Sequence, residues 1–176
     1  LAITGFIRRA RLWGLRMSKT FYQSRVDVAA ALRLAARFDM HEGICNHFSY
    51  ALPEEDCFLI NPHGIQWSMM RASDILVVNE AGDILEGDRE LEVTAFCIHS
   101  RVHARHHRAR AVLHTHMPYA TTLTSIQNGR VEPVNQNALR FWDDIAYDDD
   151  YGGIATATAE GDRIASKIGD KRVLFL

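Results

Sequence analysis

Residues 111–119, AVLHTHMPY, place His114 and His116 two apart at the end of an apolar run that reads as a buried strand. Side chains i and i+2 of a strand point to one face, so the two imidazoles stand side by side. Two neutral imidazoles held that way can chelate a divalent ion such as zinc, at N-to-metal distances of about 2.0–2.1 Å. Pro118 follows at once, placing the pair at a rim where a pocket can form. Histidines that merely satisfy a core or a surface are the alternative, because the chain holds nine of them.

Upstream, His99, His103 and His107 recur every four residues, one face of a helix, with Glu92 and Ala95 on the preceding turns. HSRVH has the i, i+4 spacing of a zinc-protease helix but lacks the glutamate of H-E-x-x-H, so that chemistry is unsupported. Two stretches, EGICNHFSY (42–50) and INPHGIQW (60–67), combine Gly, Asn, Ser and His in loops beside strands, where free N–H groups can cradle an anion. Ser49 and Cys45 lack a legible His-and-acid partnership, which argues against a nucleophilic triad. The acidic stretch WDDIAYDDDYGG lacks EF-hand spacing and reads as a solvated loop or short edge element.

The elements that must position these groups are legible in outline. RVDVAAALRLAARF (25–38) reads as an amphipathic helix, ended by HEG at 41–43. Short apolar runs at 57–64 and 74–85 read as strands, with a hairpin turn at Asn79-Glu80-Ala81-Gly82. A helix is expected over 90–107, then the strand ARAVLHTH, a second helix after Pro118, a helix stopped by Gly169, and a buried strand RVLFL.

At 176 residues and 47% hydrophobic content the chain can bury one core, and no internal repeat is visible. A net charge of −2 gives no case for a nucleic-acid partner. The first twenty residues carry Arg8, Arg9, Arg11, Arg16 and Lys19 and no acid, leaving fifteen basic against 22 acidic residues, a net of −7, in the rest. Residues 1–20 therefore read as a basic N-terminal extension, poorly ordered, with Met17 as a natural start or the stretch as a targeting segment. No apolar run is long enough to span a membrane. Three cysteines without C-x-x-C spacing fit a reducing, cytoplasmic setting.

Taken in order, GICNHFSY, FLINPHGIQWSMMRASDILVVNEAGDILEG, EVTAFCIHSRVHARHHRA and AVLHTHMPYATTLTS resemble the class II aldolase/adducin family, from about residue 25 to the C-terminus. The resemblance implies an α/β fold: a three-layer α/β/α sandwich around a mainly antiparallel central sheet, formed by residues 21–176 as one domain that lacks the family's C-terminal part. It implies a homo-oligomer, usually a tetramer, with a small-molecule substrate and a divalent metal cofactor, zinc first. By similarity His114 and His116 match the metal histidines. Asn46, His47, Ser49, His63 and Gly64 match places that hold the substrate's anionic end, although the aldolases have Gly-Asn where this chain has Asn46-His47. The aldolases' acid/base glutamate falls on Ala95, which leaves Glu92, His99 and His103 as candidate catalytic groups; a third metal histidine is expected after RVLFL. The implied activity is a metal-dependent lyase acting on a small oxygenated carbon acid, by aldol cleavage or decarboxylation through a metal-stabilised enolate. A non-catalytic adducin-head-like scaffold is the alternative, and a purely structural metal site a third.

Overall fold

A computed structural model describes residues 21–176; the basic stretch 1–20 lies outside the described residues. Helix α1 covers 21–37 and turns Phe21, Val28, Ala29, Leu32 and Ala35 inward. It ends with Asp39 in the left-handed region (φ 52°), where Met40 N–H donates to Ala35 O at 3.0 Å and Asp39 N–H to Ala36 O at 3.2 Å. That pair of hydrogen bonds satisfies the last carbonyls of the helix, with Asp39 in the left-handed position usually given to glycine. It also fixes Met40, whose carbonyl is used by the site.

Five strands form one antiparallel sheet in the order β4-β3-β2-β1-β5. They are β1 (Phe48–Leu52), β2 (Cys57–Ile60), β3 (Leu76–Asn79), β4 (Ile84–Glu86) and β5 (Ala111–Leu113). The β3–β4 hairpin turns where expected: Asn79 Oδ1 accepts from Ala81 N at 3.0 Å and Asp83 N at 2.8 Å, and Gly82 takes φ 91°.

The period-two alternation of the strands gives each face its own core. Phe48, Leu52, Cys57, Leu59 and Val77 pack with α1, Trp67 and Ile75, while Phe58, Ile60, Leu76 and Val78 pack with Ala95, Leu91 and Phe96. Ala95 and Phe96 lie on α2 (Val93–Arg105), so the sheet is sandwiched between α1 and α2 as the fold expectation requires. Leu59, fully buried in the central strand, carries the α1 side. Leu59→Ala is expected to lower unfolding free energy by about 2–5 kcal/mol, because a cavity is left between sheet and helix; urea titration measures it.

Beyond the sheet come α3 (Pro118–Thr124), α4 (Gln136–Leu139), β6 (Ile145–Tyr147), α5 (Thr158–Ile168) and β7 (Val173–Phe175). The acidic stretch contributes β6, which pairs in parallel with β7; both strands are half-buried rather than the buried core strand expected for RVLFL. Helix α5 packs along α2 and ends at Gly169, φ 60°.

Two expected bounds shift. Helix α2 starts at Val93 rather than 90, because Glu92 caps it, its side chain accepting from Ala95 N. Strand β5 stops at Leu113, so His114 and His116 lie on the extended segment just past its end. Among the described residues no helix is long and apolar enough to cross a membrane.

Candidate active site

The sheet register places the histidines. Strand β5 pairs with β1 from Tyr50–Ala111 to Phe48–Leu113, and the ladder continues one step as His114 N–H donates to His47 O at 2.9 Å. His116 N–H donates to Met40 O at 3.0 Å, which ties the segment to the end of α1. Backbone bonds thus hold both ends of H-x-H, and the Nε2 atoms of His114 and His116 stand 3.1 Å apart.

Two ligands about 2.0–2.1 Å from one tetrahedral ion stand about 3.3 Å apart, so the pair already has the bite of a zinc chelate. His116 Nδ1–H donates to Glu42 Oε2 at 2.9 Å, which leaves Nε2 as the lone-pair nitrogen. A carboxylate behind a metal-binding imidazole does this by fixing its tautomer and ring orientation. The donor set therefore fits a divalent ion. Among the described residues no three His, Cys, Asp or Glu side chains converge as a metal-binding group, so the two imidazoles are a partial ligand set.

His47 and His114 face each other with ring centroids 5.8 Å apart, and His47 meets His99 edge-on at 6.1 Å. His47 Nε2 is 3.6 Å from Glu92 Oε2. Burial pushes His47 down to about 4, with Glu92 opposing the shift; burial, then His47 and His116, pushes His114 down to about 4. Both are neutral at pH 7, the form that binds metal. A histidine with a folded value of about 4 and an unfolded value of 6.5 binds its proton more tightly when unfolded, so stability is full above pH 6.5 and falls towards pH 4. Metal-free protein is expected to lose up to ~3 kcal/mol per ring across that window, read as falling melting temperature between pH 7 and pH 4.5.

The other candidates are distributed as follows. Glu92 Oε2 accepts from Thr94 Oγ1 and from Ala95 N, each at 2.6 Å. Against burial, which raises it, these bonds hold the Glu92 carboxyl below its ordinary value, so it is an ionised helix cap. Ala95 sits fully buried in the α2–sheet core. Ser49 turns away from solvent, 1% exposed, and its Oγ lies 2.6 Å from His99 Nδ1 and 2.8 Å from His103 Nε2. Asn46 is fully buried; its Oδ1 accepts from Glu42 N at 2.6 Å while its Nδ2 has no protein partner. His63 and Gly64 (φ 78°) are exposed on the loop after β2, and His63 lies close enough to help lower the His47 value. His106 and His107 leave the cluster: His106 Nε2–H donates to Ala165 O at 2.6 Å, and His107 is exposed.

The structure adds two groups that sequence reasoning missed. Glu42 was legible only as part of a helix-ending HEG, since its partner lies 74 residues away. The Ala109 carbonyl, which accepts from His103 Nδ1–H at 2.9 Å, leaves no mark in sequence at all.

Comparison with known proteins bears on this arrangement. The model of the class II aldolase and adducin N-terminal domain matches residues 26–176. A Caulobacter vibrioides protein whose name assigns it to the class 2 aldolases is 33% identical over 163 residues, covering 92% of this chain and 63% of that protein. Decarboxylase NovR of Streptomyces niveus is 31% identical over 152 residues, 84% of this chain and 56% of NovR. The crystal structure of an aldolase II superfamily protein from Pseudomonas syringae superposes with a TM-score of 0.82 at 34% identity, covering 88% of this chain and 63% of that one. The chain thus spans about three fifths of the length of these relatives.

Proposed function

Because the chain belongs to the class II aldolase and adducin family, we propose that it is a divalent-metal-dependent lyase acting on a small oxygenated carbon acid, by aldol cleavage or decarboxylation. The observation that carries this reading is the 3.1 Å Nε2–Nε2 spacing of His114 and His116, with His116 oriented by Glu42. His114 and His116 would hold the ion, zinc in the first instance. When bound, it supplies Lewis acidity that stabilises negative charge developing on an enolate oxygen.

The chain's own residues then divide the remaining work. His47, neutral and between His114 and Glu92, lines the substrate side, with His63, Gly64 and Asn46 receiving the substrate's anionic end. Glu92 is occupied by its cap and stays ionised, so a proton is carried by the imidazoles of α2, His99 and His103. Ala95 cannot move a proton. Its presence favours decarboxylation, since loss of CO2 leaves an enolate without prior C–H abstraction, and NovR is named a decarboxylase. A homo-oligomer, a cytoplasmic setting and a small-molecule substrate complete the proposal; Leu113 and Tyr119, 60% and 90% exposed beside the histidine segment, suit burial against a second copy.

A second reading, a non-catalytic scaffold of adducin-head type, is favoured by Ala95 and by relatives named as adducins, among them the alpha-adducin of Mus musculus, 34% identical over 157 residues, 86% of this chain and 21% of that protein. Metal analysis of protein purified without added ion separates the two, paired with turnover assays on hydroxy acids, sugar phosphates and aromatic carboxylates. Stoichiometric metal with turnover supports the lyase. Protein that takes up no zinc under saturating conditions supports the scaffold, and retained metal without turnover a structural ion.

A further inference from the structure

His99 is buried to 1% exposure on the sheet side of α2, and its two nitrogens are not equivalent. The direction of every proton around it follows from one fixed point. Ala109 O can only accept, so the 2.9 Å bond makes His103 Nδ1 the donor and, in the neutral ring, His103 Nε2 an acceptor. The Ser49 hydroxyl, 2.8 Å away, must then donate to His103 Nε2. With its proton committed, Ser49 Oγ accepts from His99 Nδ1–H at 2.6 Å. His99 is thereby held as the Nδ1–H tautomer. Its Nε2 is left with a lone pair, in a ring whose nearest titratable neighbours besides His103 are His47 and His114.

We propose that His99, Ser49 and His103 form a proton relay, in which a proton accepted at His99 Nε2 drives its Nδ1 proton to Ser49 Oγ and the Ser49 hydroxyl proton to His103 Nε2. One proton enters. His99 ends neutral as the Nε2–H tautomer, Ser49 ends as a hydroxyl again, and the positive charge rests on His103. The reverse sequence returns the proton. Ser49 is the positioning residue, since it alone joins the two rings.

The positions of the two rings favour that direction. His99 is fully enclosed, whereas His103 is half-buried on the last turn of α2, where exposed helix carbonyls stabilise a cation. Burial lowers the proton affinity of His103 with the Ala109 carbonyl opposing it, while burial and the neighbouring histidines hold His99 well below the ordinary value. The relay rests on the lyase reading for its use, but its geometry contains no metal ligand.

Nitrogen-15 NMR of histidine-labelled, metal-free chain tests it. At neutral pH both rings are expected as Nδ1–H tautomers. On acidification, the cation at His103 and the switch of His99 from Nδ1–H to Nε2–H are expected at one midpoint. Ser49→Ala should uncouple them and release His99 from the Nδ1–H tautomer, and Ser49→Thr, which keeps the hydroxyl, should restore the native pattern. An Nε2–H tautomer at either ring in the native chain at neutral pH overturns the proposal, as does, on acidification, a protonated His103 beside a His99 that keeps Nδ1–H. If Ser49→Ala fails to fold, the native titration decides alone. Zinc binding measured on the same sample keeps the two ideas apart: its loss sinks the lyase reading and leaves the tautomers standing.

Discussion

His114→Ala is expected to lower zinc affinity by more than about 10²-fold, beyond the 10–100-fold typical of losing an outer carboxylate, while leaving metal-free stability nearly unchanged. The two halves of that expectation have different origins. Affinity falls because the 3.1 Å bite needs both Nε2 atoms, and His116 alone gives a single bond. Stability holds because the fold uses the backbone of His114, through its N–H to His47 O, and alanine keeps that N–H. The native ring is half-buried beside His47 and His116, and the side-chain bond lost with it is the 3.1 Å contact to His116, itself half-buried, outside both hydrophobic cores. Competition titration with a chromophoric chelator reads the first half and thermal melting without metal the second; a metal-free melting temperature lowered by 10 °C or more, roughly 3–4 kcal/mol at this size, would show that the ring is structural. Glu42→Gln, which keeps a hydrogen-bond acceptor but loses the charge behind His116, is expected to fall within the 10–100-fold range.

How much of this was legible in sequence depends on how local each interaction is. Helix α1, the Asn79–Gly82 turn and the Gly169 stop are written in contiguous residues, and all three are found. The H-x-H pair was found because its spacing and its position at the end of an apolar run are also local, even though β5 ends one residue before it. Strand β1 was not. Its polar residues, read with Asn46 and His47 as a loop, point Ser49 at histidines 50 and 54 positions away, and buried polar side chains look like exposed ones until their partners are known. Glu92 is the opposite case: the short-range cap it makes with Thr94 and Ala95 defines the helix start, a local bond that helix periodicity alone does not reveal.

Gly161→Ala is expected to destabilise the chain by about 3 kcal/mol or more, reversing the sign that helix propensity alone would give. In an open helix interior, alanine is better than glycine by roughly 1 kcal/mol. Gly161 lies buried in α5 against α2, where a Cβ would overlap the carbonyl oxygen of Cys97 and come within 2.9 Å of Arg101 Cγ. The obstacle is α2 backbone, which cannot rotate aside as a flexible side chain does, so the helices must separate. Separation would draw Ile164 and Ala165, both buried, away from α2 and strain the His106–Ala165 bond at 2.6 Å and the Arg101–Asp162 pair at 2.6 Å. It would also loosen the β6–β7 unit, because Arg163 and Lys167 on α5 hold the buried carboxylate of Asp148. Urea titration should give a lower midpoint, and hydrogen exchange should show the loss of protection concentrated in α5 and β6–β7, with β2 and β3 protected to the global limit. A Gly161→Ala chain as stable as the native one would mean that α2 and α5 do not approach this closely in solution.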